Sequence, residues 1–520
     1  MTTVATTQPA VRPLAWHPSR PTWGPTLAVA VAVVFGVTLR AWRLGSQSLW
    51  FDEGYTAWVV SLPPAKIVEA IRVDTAPPLY YLLLRHWVAV AGRSEVAMRL
   101  PSAVCAVAAL GVMAAVVRRL FRDRWARAAA VALVACSSMQ VAYAHEVRFY
   151  ALMSLVGAID LYVAIVACER ERTAIGWLAV AAVAWAVSLW LNNIMAVYLG
   201  CLGVAWLVLP GDRRVGRRLL DVAGVAVLAG LAFSPWVPAL AAQARAIGAN
   251  FWCQPPTGSD LIDMVERVAG VNEAGEAVGG VAVLALAGAA VATAAGVGRQ
   301  RRLAAALAAF GLLPLLVTFV YSRHRTSIFM DRAFIVSSLV APLLAAVPLE
   351  ATVGRPERLR GAAAAVAALL VAVSARSAIA DRHRVASHVE DWRGASRYAA
   401  AGPSIHRLTV FNANEGELLY DYYARGGDYS PSPDLTGTPA DYFAPRPART
   451  LQRVRSEAGV DGLRRLLASR PADDVVFVAA HGPYADADGR TLALLRGRMR
   501  EADRRLFDAV TVYRFVPRAR

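Results

Sequence analysis

The stretch "TWGPTLAVAVAVVFGVTLRAWRLGSQSLWFDEGYTAW", residues 22–58, sets the terms for the whole chain. Its first part, residues 22–39, carries no charge and comes close to the roughly 20 apolar residues a helix needs to cross a bilayer. Its last part places Asp52 and Glu53 side by side among Trp50, Phe51, Tyr55 and Trp58. The chain therefore leaves an apolar span and meets two carboxylates. The aromatics fit a membrane-interface belt, and an acidic pair at the end of a span can simply be solvated. The pair can also do chemistry: adjacent residues point in different directions, so one carboxylate can act as base while the other orients it or binds a cation.

Working outward, the chain of 520 residues is 57% hydrophobic and only 18% charged, too little charge to cover a soluble protein of that size. Apolar runs fall at 22–39, 99–117, 128–144, 150–168, 173–191, 193–210, 219–237, 278–297, 303–321, 333–350 and 361–379. These describe a polytopic α-helical membrane protein of about eleven transmembrane helices. The net charge of +17 does not point to nucleic acid, because where the arginines sit matters more than their number. Arginine clusters within 118–127, 170–172, 213–218, 299–302 and 355–360 occupy alternate connections. The positive-inside bias makes that side cytoplasmic, with the N-terminus there and the C-terminus outside the plasma membrane. The first 21 residues hold no apolar core, so the first run is read as an uncleaved span. Cys105, Cys136, Cys168 and Cys201 lie in apolar runs and Cys253 stands apart, so neither a disulfide framework nor a cysteine metal site is expected.

"PPLYYLLLRHWVAVAG", residues 77–92, is too short for a span and is interrupted by Arg85 and His86. It reads as a juxtamembrane or re-entrant helix inside one long outer loop, roughly 40–98. After residue 380 the composition changes. "RLTVFNA", "DDVVFVAA" and "DAVTVYRFV" read as strands; "VEDWRGASRYAA", "EGELLYDYYARG" and "GRTLALLRGRMREADRRL" read as helices. The expected division is a transmembrane domain over 1–380 and a small extracytoplasmic α/β domain over 381–520. The Pro- and Asp-rich stretch 428–447 reads as a surface loop.

Three further outer segments carry candidate residues. "DTAPPLYY" offers Asp74, either solvated in a turn or part of a site. "HEVRFY", residues 145–150, sets Glu146 and Tyr150 on one helical face and His145 and Arg148, three apart, on another; two charges and a histidine between consecutive spans need a partner or a wet cavity. "YSRHRTSIFMDR", residues 321–332, keeps Arg323, Arg325 and Arg332 on the side the positive-inside rule disfavours. Such arginines suit an anionic ligand such as a lipid phosphate; contacts with anionic headgroups or with the C-terminal domain are the other explanation. Asp160 lies inside the fourth run, where a bundle-facing, hydrogen-bonded acid outweighs a proton relay. A base near several cations suits group transfer from a phosphorylated lipid.

The blocks "SLWFDEGYTAW", "DTAPPLYYLLLRHWVAVAGRSEVAMRLPSAV" and "HEVRFYAL", and more loosely "FMDRAFIVSSLVAPLL", resemble the C-type, polyprenyl-phosphate-dependent glycosyltransferases (GT-C). That superfamily includes the protein O-mannosyltransferases and the lipid A aminoarabinose transferases. The resemblance spans roughly 40–350 and implies the GT-C fold. It implies that Asp52 is the catalytic base, with Glu53 completing the acidic pair and Glu146 as the acid of the second outer loop. Arg148, Tyr150 and Arg332 would then bind the donor sugar and phosphate, with Arg323, Arg325 and Asp74 as further candidates. The implied partners are a polyprenyl-phosphate sugar donor, a glycan, lipid or protein acceptor, and membrane lipids. Relatives often carry His before the paired prolines where this chain has Ala76. Any metal contact that this histidine makes in relatives is therefore not carried over, and the resemblance implies no certain cofactor, with a divalent cation shared by Asp52 and Glu146 left open. The rival readings are a flippase for lipid-linked sugars, whose polar residues would sit nearer the bilayer midplane, and a degenerate relative that only binds.

Overall fold

The computed structural model describes residues 23–72, 74–169, 175–250, 253–271, 298–384, 390–402, 407–412, 414–427, 429, 435–436, 457–469, 473–480 and 489–518. The run expected at 278–297 and most of the loop at 428–447 lie outside them. The uncharged run forms α1 (Trp23–Ala41), and three short helices follow: α2 (Phe51–Val59), α3 (Pro64–Arg72) and α4 (Leu79–Ala91). The long helix α5 (Glu95–Leu120) comes next. Pro78 precedes α4 and Gly92, at φ +82°, ends it; a left-handed residue there suits glycine. The juxtamembrane helices expected in the first long loop are thus present.

The body continues through α6 (Arg124–Ala135), α7 (Ser138–Tyr143), α8 (Tyr150–Glu169), α9 (Ile175–Leu191) and α10 (Met195–Val208). Then come α11 (Val215–Phe233), α12 (Val237–Asn250), α13 (Gly258–Ala269), α14 (Arg299–Gly311) and α15 (Leu313–His324). Short helical segments over Asp331–Phe334 (3-10), Ser337–Val340 (α), Ala341–Ala346 (3-10) and Val347–Ala351 (α) lead to α16 (Glu357–Arg384). Among the described residues, six helical segments are long and apolar enough to cross a membrane: Trp23–Ala41, Glu95–Leu120, Tyr150–Glu169, Val215–Arg245, Arg299–His324 and Glu357–Ala380. Four more, Leu79–Ala91, Ile175–Leu191, Met195–Val208 and Ser337–Ala351, are apolar but shorter. The chain is a multi-pass membrane protein, but not every expected span is one continuous helix. The third breaks between α6 and α7, and the run at 333–350 passes from α-helical to 3-10 geometry and back. Pro342 and Pro348 account for the second break, because each removes a helical N–H donor and crowds the preceding turn. The two broken segments are tied together: Gln140 Nε2 donates to the Ile335 carbonyl (2.7 Å) and to Ser338 Oγ (2.9 Å).

The C-terminal part adds α17 (Trp392–Ala400), β1 (Arg407–Phe411), α18 (Asn414–Ala424), β2 (Leu435–Thr436) and α19 (Glu457–Ser469). β3 (Asp474–Ala479), α20 (Arg490–Arg498), β4 (Met499–Phe507) and β5 (Val510–Pro517) complete it. One sheet runs in the order β2-β1-β3-β5-β4, parallel at β2-β1-β3 and antiparallel at β3-β5-β4. Strand periodicity splits β3 between two apolar layers. Val476 and Val478 join the main core with Trp392, Leu418 and Leu419, whereas Val475 and Phe477 pack with Leu463, Leu495 and Phe515. One expectation fails here. "GRTLALLRGRMREADRRL" is not one helix: α20 stops at Arg498 and residues 499–507 form an edge strand. The β5 backbone supplies a full hydrogen-bonding partner, and Asp508, at φ +52°, turns the hairpin.

Gly311 marks the tightest approach between α14 and the broken run at 333–350. A Cβ there would lie 2.9 Å from the Ala341 backbone nitrogen and 3.1 Å from its Cα. Gly311→Ala should therefore destabilise the helical body by about 1–3 kcal/mol, the usual cost of overpacking. The lower midpoint would be read by thermal unfolding in detergent, and an unchanged midpoint would mean that the backbones move apart freely.

Candidate functional site

The site is built on α2, a helix too short to be stable alone. Its N-terminus is fixed by Glu53, which is fully buried. Arg99 of α5 grips that carboxylate with two bonds, Nε to Oε1 at 2.9 Å and Nη2 to Oε2 at 2.6 Å. The backbone N–H groups of Val147 (2.8 Å) and Trp50 (3.2 Å) donate to the same carboxylate. The rest of the Arg99 guanidinium donates to the carbonyls of Leu44 (2.9 Å), Gln47 (2.9 Å) and Ser48 (3.0 Å). At the other end of α2, Arg85 Nη1 donates to the carbonyls of Val60 (3.2 Å), Ser61 (3.4 Å) and Leu62 (2.5 Å).

Asp52, one residue earlier on α2, is partly open to solvent. Arg332 pairs with it at 2.7 Å, and Arg148 Nη2 lies 3.9 Å from the same oxygen. Arg148 Nη1 donates to Thr56 Oγ1 (3.3 Å) and to the Tyr81 hydroxyl (3.2 Å). Tyr81 donates onward to Asp74 Oδ2 at 3.4 Å. One polar chain thus runs Arg332, Asp52, Arg148, Tyr81, Asp74. Asp74 has its carboxyl pKa raised, first by burial, with Arg148 opposing. The Tyr150 ring packs on Phe149 and Tyr143 at centroid distances of 4.6 and 4.9 Å, and Arg148 sits 6.0 Å from its centre.

Glu146, buried in the loop between α7 and α8, differs from Asp52. Its Oε2 has no hydrogen-bond partner among the described residues. Burial, then the carboxylates of Glu53 and Asp52, push its pKa well above the usual range, with Arg332 opposing. Its neighbour His145 has Nε2 3.0 Å from the Leu39 carbonyl.

The structure therefore brings together Asp52, Arg148, Tyr150, Arg332, Asp74 and Glu146. It separates the others. Glu53, a catalytic candidate from the sequence, has both oxygens committed to four donors and no exposed surface, so it cannot meet a substrate. Arg323 donates to the Pro256 carbonyl at 3.1 Å, and Arg325 stays exposed beyond the end of α15. Among the described residues no group of three or more His, Cys, Asp and Glu is disposed to hold a metal ion. The divalent cation left open for Asp52 and Glu146 fits poorly, since two guanidinium groups already face Asp52. Asp160 is bonded to Ser188 Oγ at 2.6 Å, as expected of a bundle-facing acid. A cavity of about 360 Å³ opens beside Asp331, lined by Gln254, Asp260, Asp263, Arg267 and Phe329 among others. Sequence reasoning missed Arg99, Arg85, Tyr81 and Thr56. Arg99 and Arg85 left a signal, each as an arginine on an apolar helix that needs a buried partner.

Residues 75–238 match the family model described as dolichyl-phosphate-mannose-protein mannosyltransferase. The crystal structure of apo ArnT from Cupriavidus metallidurans shares the fold at TM-score 0.57 and 16% identity, over 94% of this chain and 97% of that one. The structure of the same protein bound to undecaprenyl phosphate gives TM-score 0.55 and 16% identity, over 95% and 98%. No curated protein matches the chain. The GT-C fold implied by the sequence motifs is the fold observed.

Two outcomes follow from the unequal carboxylates. Glu53→Ala strands Arg99 as an unpaired buried cation and should cost about 3–5 kcal/mol, whereas Asp52→Asn, at a partly exposed pair, should barely move the unfolding midpoint. Equal losses in the two variants would remove the distinction. For Glu146 the sign is fixed by its raised pKa. Above the ordinary value of 4.5, the folded state keeps a proton that the unfolded state has released, so stability falls as pH rises. Glu146→Gln should flatten the fall of the midpoint as pH rises above 4.5 and be no less stable at the upper end of the titration; an unaltered slope would exclude this group as its source.

Proposed function

We propose that this chain transfers a sugar from a polyprenyl-phosphate donor to an acceptor hydroxyl at the extracytoplasmic face, with inversion at the anomeric carbon. In this reading residues 1–380 form the transferase and 381–520 an extracytoplasmic α/β domain. The observation that carries it is Asp52 at the surface of the site, flanked by Arg332 and Arg148. A lipid phosphate competes with Asp52 for the Arg332 guanidinium, because both are oxyanions suited to the same planar fork. When the phosphate takes Arg332, Asp52 is released to act as base. It accepts the proton of the acceptor hydroxyl, the hydroxyl oxygen bonds to the anomeric carbon, and the carbon–oxygen bond to phosphate breaks. Polyprenyl phosphate leaves with the electron pair, its charge met by Arg332 and Arg148. Glu146, held toward its neutral form, would donate a hydrogen bond to a sugar or acceptor oxygen.

The family match over residues 75–238 and the likeness to ArnT bound to undecaprenyl phosphate support a lipid-phosphate donor. The placing of Asp52, Asp74, Glu146, Arg148 and Arg332 on short helices and loops outside the long helices, with Asp160 paired to a serine, favours a transferase over a flippase, whose polar residues would sit nearer the bilayer midplane. The test is sugar release from a panel of radiolabelled polyprenyl-phosphate sugars by the protein in nanodiscs. Wild type should cleave one donor, and Asp52→Asn, still folded and still binding undecaprenyl phosphate, should lose about 10²–10⁴-fold in turnover. Full activity in Asp52→Asn would remove the base assignment, and translocation of donor without cleavage would install the flippase reading.

A further inference from the structure

We propose that the C-terminal part of the chain is a positioning element of the transfer site: Glu390, Trp392, Arg393, Leu419 and Tyr423 clamp the loop that aims Asp52. This rests on Asp52 being the base. The loop 44–50 contains only turns and extended backbone and leads directly into α2. Arg99 holds it from one side. From the other, Arg393 Nη2 donates to the carbonyls of Gly45 and Gln47, each at 3.1 Å. Ser48 Oγ donates to the Glu390 carbonyl (2.5 Å) and accepts from the Trp392 N–H (3.2 Å). The Leu49 N–H donates to the Tyr423 hydroxyl at 2.5 Å. Beyond Asp52 the contact resumes, since a Cβ on Gly54 would lie 2.6 Å from the Leu419 side chain. The C-terminal helices therefore touch α2 and its approach on both sides of the candidate base.

The same side chains also fix the start of α5. Arg393 forms an ion pair with Glu95, the Tyr423 hydroxyl bonds to Glu95, and the Tyr422 hydroxyl bonds to the Arg93 carbonyl. Arg393 and Tyr423 thus bridge the 44–50 loop to the helix that carries Arg99. They act through the backbone, and a base must be held within about 0.5 Å of its productive geometry. Freeing the loop misplaces Asp52 without removing Arg332 or Arg148 from a lipid phosphate.

The experiment uses the full chain in nanodiscs carrying Arg393→Gln together with Tyr423→Phe. Turnover of the donor that wild type cleaves should fall at least about tenfold, while KM for donor and affinity for undecaprenyl phosphate stay within about threefold. Hydrogen exchange over residues 44–53 should rise, and Arg393→Lys should restore part of the turnover. Arg496→Gln, at an exposed Arg496–Glu501 pair between α20 and β4, should leave turnover unchanged. Wild-type turnover in the double variant overturns the inference. If the double variant does not fold, Tyr423→Phe alone, which deletes one hydroxyl, decides by the same readouts. An inactive Asp52→Asn beside a fully active clamp variant rejects the clamp alone; an active Asp52→Asn rejects the base assignment beneath it.

Discussion

The buried pair between Glu53 and Arg99 is the constraint on which the rest of the site depends. Taking two charges out of water is expensive, and the arrangement holds only if every remaining donor and acceptor is used. Here the surrounding chain meets that requirement. Glu53 receives two backbone N–H groups beside the guanidinium, and Arg99 fills three carbonyls. The pair therefore joins three segments distant in sequence: the approach to α2, the start of α5 and the loop at 145–149. With Arg85 capping the far end, a nine-residue helix acquires a fixed axis and a fixed rotation. That rotation turns Glu53 inward and leaves Asp52 facing Arg332.

The electrostatic contrast between Asp52 and Glu146 comes from the same frame. Asp52 faces two guanidinium groups, while Glu146 is buried and feels the carboxylates of Glu53, Asp52 and Asp331, with Arg332 opposing them. One fold thus holds one carboxyl group paired and another toward its protonated form, which is how a site separates acid from base roles. Neither environment is made by a single segment. Arg332 comes from the turn after α15, Arg148 from the loop before α8, and Tyr81 from α4.

Much of the fold was legible in the sequence because uncharged runs near the bilayer thickness have few other uses. The breaks within two runs were less legible, although Pro342 and Pro348 were in view. The edge strand at 499–507 carried good helix formers, and its identity depended on pairing with β5, a contact no local pattern encodes. In the site, the acidic pair was visible and the resemblance singled out Asp52, but the burial of Glu53 against Arg99 was not in view. Asp52 and Glu53 are adjacent and alike in chemistry, and only the phase of α2 against Arg99 separates them. Arg323, Arg325 and Arg332 formed one cluster by sequence. Only Arg332, on the turn after Met330, reaches Asp52, because α15 ends before that turn and directs Arg323 to Pro256.

The bond between Ser48 and Glu390 has a consequence for biogenesis. It joins positions 342 residues apart, so the nascent chain inserts its first helix and first long loop well before the partner segment exists. Until the segment from Glu390 to Tyr423 has been synthesised and has docked, the 44–50 loop has Arg99 and Glu53 to hold it but none of its bonds to Glu390, Trp392, Arg393 and Tyr423. Contacts of such sequence separation form late and slowly. A chain stalled before residue 390 would then sit in the membrane as a helical body whose 44–50 loop lacks half of its anchors.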